Sequence, residues 1–196
     1  MIVEAIVLSV VVALVRGGNI KRIGEIDLRG AALVLIPAGL IVLTYAKRIP
    51  GLGLLGGIST FAHIAAYVMA LTIVWLNRRL PGMALIGLGA ALNLAVIAAN
   101  GGLMPVSAAA ARSTGGASAE RQLERKDMAR HTKLDSGTKL WFLSDVIPVP
   151  QPACLGPCVA SAGDIILSVG LFVLIQASAC PGKPKGSKRA RIAEGG

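Results

Sequence analysis

Charge is scarce in this chain, and acid is scarcer still. Only 15% of its 196 residues are charged, the 10 acidic side chains face 20 lysines and arginines, and none of the acids falls between Asp27 and Glu120. Soluble domains carry about a quarter charged residues. A 54% hydrophobic share with a mean hydropathy of +0.70 therefore excludes an ordinary soluble domain and points to a polytopic membrane protein. Aromatic residues make up only 4%, so the net charge of +10 lacks the stacking partners of a nucleic-acid surface. With two histidines and three cysteines, metal-ligand spacing is missing as well: Cys154 and Cys158 have only the distant His131 to add. A cofactor fingerprint is absent too. Gly51-Leu52-Gly53-Leu54-Leu55-Gly56 matches GxGxxG, but an apolar run follows it where that fingerprint needs a strand, a helix and a later acid.

Five apolar stretches are present, at residues 2–15, 31–46, 54–76, 83–99 and 165–179. The expected fold is all-α, a polytopic membrane helix bundle of about five transmembrane helices, with a long outer loop between the fourth and the fifth. The first stretch has neither the basic start nor the cleavage site of a signal peptide, so it reads as a retained helix. It is short of the roughly 20 residues a span needs, which puts Glu4 at the outer interface. In the second, Pro37 stands mid-run and predicts a kink. The basic clusters set the orientation. Arg16, Lys21, Arg22 and Arg29, then Arg78 and Arg79, then the tail Lys183, Lys185, Lys188, Arg189 and Arg191 fall on one side, eleven of the twenty. That side is cytoplasmic, so the amino end lies outside and the carboxyl end inside. Seven of the other nine lie in the long loop, which translocates largely regardless of charge.

The division is a four-helix membrane region over 1–106, an outer loop with an interfacial segment over 107–162, a fifth transmembrane helix over 163–180 and a basic cytoplasmic tail over 181–196. Residues 107–118 read as a flexible link and 119–131 as a short polar helix. Leu140, Trp141, Phe142 and Leu143 read as a segment lying in the outer interface. The expected partners are the lipid bilayer, anionic head groups at the tail, and a membrane protein docked on the outer loop.

Polar residues within the apolar runs are few. Ser59, His63 and Tyr67 recur every four residues and form one stripe turned into the bundle. His63 is then either a proton or ligand site or a neutral imidazole hydrogen-bonded to a neighbouring helix. Asn93 should bond across helices, and Gly87, Ala91 and Ala95 offer a small-residue face for close packing. Asn100-Gly101-Gly102 ends the fourth helix. A Cys154–Cys158 disulfide and a pair of thiols both fit the outer loop, and Cys180 beside the basic tail fits an acylation site.

Taken together, Arg16-Gly17-Gly18, Leu92-Asn93-Leu94, Asn100-Gly101-Gly102, Met104-Pro105-Val106-Ser107, His131-Thr132, Asp145-Val146-Ile147-Pro148 and Gly163-Asp164 resemble an uncharacterised bacterial family of small multi-pass membrane proteins, a domain of unknown function. The resemblance covers nearly the whole chain. It implies a place in the bacterial cell membrane, and Asn100, Gly101, Gly102, His131 and His63 are the candidate binding residues.

The last fifty residues also resemble the end of lipoprotein signal peptidase. Asp145 before Val-Ile, a proline-bearing loop, then Ala162-Gly163-Asp164-Ile165-Ile166 and Gly170 carry that similarity; Ser161-Ala162-Gly163 stands where that family usually places an asparagine. It implies an aspartyl dyad of Asp145 and Asp164, one carboxylate activating water and the other protonating the leaving amine. The bland reading of each is a cap: Asp164 at a helix start, Asp145 in a turn. The first expectation is thus a non-catalytic, structural or accessory membrane protein. A membrane aspartyl peptidase and a small transporter are the alternatives.

Overall fold

The computed structural model describes residues 1–43, 56–124, 131–150, 156 and 158–180. The protein is mostly helical. Helices α1 (Ile2–Val15), α4 (Gly56–Leu76), α5 (Met83–Ala99) and α7 (Ala162–Ala179) build the bundle, with a short α2 (Lys21–Gly24) and α3 (Leu35–Leu43) between the first two. Helix α6 (Ala108–Glu124) and four short strands lie between α5 and α7. All five apolar stretches contain helix, but among the described residues only Ala162–Ala179 is long and apolar enough to cross a membrane by length and composition. The other apolar helices are shorter over the same residues.

Helix α7 packs against both α5 and α1, and α4 packs against α5 and α3. The α5–α7 contact is backbone to backbone. A Cβ added to Gly82 would lie 2.2 Å from the Gly170 carbonyl oxygen, and one on Gly89 would lie 2.4 Å from that of Gly163. Each pair is seven residues apart on its own helix, two turns, so the glycines form an antiparallel seam with no room for a side chain. The expected small face is a different one. Gly87 turns toward Val74 of α4, whereas Ala91 and Ala95 are exposed. Where the partner brings its own glycines decides which face closes.

Pro37 also differs from expectation. A 3-10 turn over Ala31–Val34 precedes α3, so Pro37 falls in the first turn of an α-helix, where a missing N–H costs nothing, rather than at a mid-helix kink.

The segment between α5 and α7 is neither a link nor all-α. Alanines 108–111 form the best helix-making stretch in the chain, and the Ser107 hydroxyl accepts from the Ala110 N–H at 3.3 Å as its cap. Helix α6 therefore begins where flexibility was expected, bends at Gly116 (φ 64°) and ends at Glu124. Strand β1 (Met104–Val106) pairs in parallel with β2 (His131–Lys133). On its other side β1 bridges to Asp145, whose N–H donates to the Pro105 carbonyl at 3.0 Å and whose carbonyl accepts from Ser107 at 2.9 Å. Strand β3 (Ile147–Val149) then pairs antiparallel with β4 (Cys158–Ala160), which leads straight into α7. These strands cap one end of the bundle. Trp141 and Phe142 sit exposed in a 3-10 turn, their rings edge to face at 6.2 Å, while Leu143 packs on Val96, Ile97 and Met104.

Several expectations fall outside the described residues: Lys47 and Arg48, the glycine run 51–55, the Ser59 side chain, Cys154 and the tail 181–196.

Candidate functional site

Strand β4 ends at Ala160, and Ser161 turns the chain into α7. Ser161-Ala162-Gly163-Asp164 has the spacing of a capping box. The Ser161 hydroxyl accepts from the Asp164 N–H at 2.9 Å, and Asp164 Oδ2 accepts from the Ser161 N–H at 3.2 Å. Asn93 of α5 joins the two: its Nδ2 donates to Asp164 Oδ1 at 2.7 Å, and its Oδ1 accepts from the Ser161 hydroxyl at 2.9 Å. A closed ring of four hydrogen bonds thus fixes the Asp164 carboxylate, and both of its oxygens accept within it. Gly163 makes the ring possible, because a Cβ there would lie 2.1 Å from Asn93 Oδ1.

Asp145 arrives from the cap. Its backbone is held by β1, and its side chain is buried, with Oδ2 3.7 Å from His131 Nε2 on β2. His63 arrives from α4 and is 4% exposed. Its Nδ1 lies 2.9 Å from the Gly102 carbonyl oxygen. A carbonyl can only accept, so Nδ1 carries the proton, and in the neutral ring Nε2 is the acceptor. The Tyr67 ring lies 5.6 Å from the His63 ring, one helical turn along.

These residues line one cavity of about 410 Å³. Asp145, Asp164, His63, His131 and Asn93 are in its wall, together with Glu4 at the start of α1, where Glu4 pairs with the Met1 amino group. Ile97, Met104 and Val159 supply apolar wall, and Cys158 of β4 lines the same space. Three carboxylates, Asp145, Asp164 and Glu4, thus share the wall with two imidazoles, the Asn93 amide and the Met1 amino group that Glu4 pairs with. Among the described residues no three His, Cys, Asp or Glu side chains converge to hold a metal ion.

A model for a family of unknown function, DUF5317, matches residues 25–176. The chain belongs to that family. An uncharacterized protein of Thermotoga maritima is 26% identical over 174 residues, which cover 88% of this chain and 89% of that one. No solved structure matches. In this DUF5317 chain, the matched span includes every cavity residue except those at the start of α1.

The remaining expected residues do other work. Asn100 is a clamp: its Nδ2 donates to the carbonyls of Val96 at 2.8 Å and Lys139 at 2.9 Å, and its Oδ1 accepts from the Lys139 N–H at 3.0 Å. Gly101 is exposed with φ +67° and nothing near its missing Cβ; it turns the chain. Gly102 is buried and offers His63 its carbonyl. Sequence reasoning did not find Glu4 or Cys158 as wall residues, nor Ser161 in the ring that fixes Asp164. Only Ser161 had a local signal, the capping-box spacing.

Proposed function

We propose that this DUF5317 chain is a multi-pass membrane protein whose capped cavity binds a small ligand carrying an ammonium or comparable donor group, without chemistry on it. The observation that carries the reading is the 410 Å³ cavity itself, in which the Asp145 and Asp164 carboxylates and the Asn93 amide converge beside apolar wall. A cation with a short apolar body satisfies such a wall, whereas an anion would meet two carboxylates. The glycine seam closes the space between α5 and α7 below Asn93, which favours a binding pocket over a passage along that seam.

Membrane placement is supported by the apolar side chains that the bundle leaves outward. Val3, Leu8 and Val15 of α1, Phe61 and Trp75 of α4 and Val169 of α7 are each about half exposed or more. Outward apolar surface of this extent on a bundle fits contact with lipid. In this reading five helices cross the bilayer, the amino end and the cavity face outward, and the basic end faces the cytoplasm. The regions are 1–106, the outer 107–162, the fifth helix 163–180 and the tail 181–196. A maleimide that cannot cross membranes should label the Cys154 and Cys158 region in intact cells and reach Cys180 only after permeabilisation. The reverse pattern would invert the orientation.

Ligand binding is tested on the full chain in nanodiscs by the thermal shift with butylamine, butanol and butyrate. Butylamine should give a saturable shift and butyrate none. Asp145→Asn should weaken the amine at least tenfold, about 1.4 kcal/mol. Equal shifts with all three probes, or no effect of Asp145→Asn, would remove this reading.

A second reading, an aspartyl peptidase, is favoured by one fact: both aspartates line the same cavity. It ranks lower because each carboxylate is already engaged elsewhere, Asp164 with Asn93 and its own cap, Asp145 beside His131. Accumulation of an uncleaved membrane-anchored substrate in cells carrying Asp164→Asn, with amine response unchanged, would move the assignment to it.

A further inference from the structure

The opposite end of the bundle carries a larger cavity, about 590 Å³, between the segment 22–29 and the turn that follows α4. Four arginines line it, Arg22, Arg29, Arg78 and Arg79, against two acids, Glu25 and Asp27. Among the described residues none of the four guanidiniums is paired with a carboxylate, although both acids share the cavity. The walls are positioned without those charges. Asn77 Nδ2 donates to the Arg29 carbonyl at 3.0 Å, and Asn77 Oδ1 accepts from the Arg29 N–H at 2.8 Å, so the backbone of one wall is fastened to the other.

At the rim, the Arg78 guanidinium lies 4.7 Å from the centre of the Trp75 ring and donates to the Trp75 carbonyl at 3.1 Å. Trp75 is 66% exposed and Leu76 beside it is 40% exposed. An outward indole at the end of an apolar helix, next to clustered guanidiniums, is the composition of a membrane–water boundary. The cavity is thus a positively charged concavity opening beside apolar surface.

We propose that this cavity binds the phosphate of an anionic lipid head group, with the acyl chains lying along Trp75 and Leu76. Guanidinium planes match phosphate oxygens two at a time, and a preformed cluster of them selects a phosphate over a carboxylate or a chloride. The lipid as source rests on the membrane reading above; the phosphate chemistry does not.

The test uses the full chain in nanodiscs, titrated with phosphatidylglycerol, phosphatidylcholine or inorganic phosphate and followed by thermal midpoint. Phosphatidylglycerol should stabilise the protein saturably, at least fivefold more tightly than phosphatidylcholine. Replacing Arg22, Arg29 and Arg79 together with Gln should weaken that response tenfold or more, while Glu25→Gln with Asp27→Asn should strengthen it several-fold by removing the two negative charges. Neutralising Lys183, Lys185, Lys188, Arg189 and Arg191 in the tail should change it less than twofold. Stabilisation by inorganic phosphate alone, with the same arginine dependence, would keep the phosphate site and replace its source. A response equal for the two lipids, or a triple variant responding as the parent does, overturns the proposal. If the triple variant does not fold, absence of any gain in the Glu25→Gln, Asp27→Asn chain overturns it equally.

Discussion

At the basic end Asn77 follows the last residue of α4, and at the capped end Asn100 follows the last residue of α5. Each uses its amide in the same way. One N–H goes back to the carbonyl four residues earlier, Ile73 or Val96, at 2.8 Å, and the rest of the amide grips the backbone of a distant loop residue, Arg29 or Lys139. What the two ends present differs in sign: four guanidiniums at one, carboxylates and imidazoles at the other. Identical fastening with opposite charge teaches that the scaffold is indifferent to what it displays. The clamp is 4% exposed at Asn77 but more open at Asn100, so the two should not cost the same to remove.

The seam joining the two ends should break first and hardest. Gly82→Ala at the basic end and Gly163→Ala at the capped end each force a methyl group against backbone or a fixed amide, so each should lose about 3 kcal/mol by chemical denaturation in detergent. Gly163→Ala should also displace Asn93 and lose the butylamine response, which Gly82→Ala keeps in the fraction that folds. A smaller break comes from Asn77→Ala, which removes a buried bond to the Ile73 carbonyl and leaves part-buried backbone groups of Arg29 without that partner; about 2 kcal/mol is expected. Asn100→Ala should cost about 1 kcal/mol, since water replaces the lost bonds to Lys139. Equal losses for Asn77→Ala and Asn100→Ala would erase the distinction between a buried and a wetted clamp.

The helices of the bundle were legible because apolar runs end at residues that cannot continue them: Met83–Ala99 stops at Asn100-Gly101-Gly102, and Ile2–Val15 stops at Arg16-Gly17-Gly18. The cap was not legible. Its strands are three residues long, too short for a period of two to register, and two contain proline. They exist because other strands pair with them, His131–Lys133 with β1 and Cys158–Ala160 with β3. Some residues of the candidate cavity were visible in the sequence. Asp145 and Asp164 stood out through the resemblance to lipoprotein signal peptidase, and Asn93 as a polar residue in an apolar run. That Asn93 bonds Asp164 depends on Gly89 and Gly163 meeting, a contact between helices that neither sequence declares alone. Asn100 read as a candidate binding residue, and its amide bonds the backbone of Val96 and Lys139; nothing local in the sequence announces that contact.

The ring through Asn93 and Asp164 joins positions 71 residues apart, and the final helix provides half of it. Until that helix has been synthesised and docked, the binding wall is missing an entire side, and α5 exposes its glycine groove to whatever lies nearby. A nascent chain halted before residue 161 would lack Asp164 at the capped end and Gly170 and Ser178 at the basic end, so both cavities would stand open on the side of α7. One helix, last in the chain among the described elements, thus closes both ends of the bundle at once.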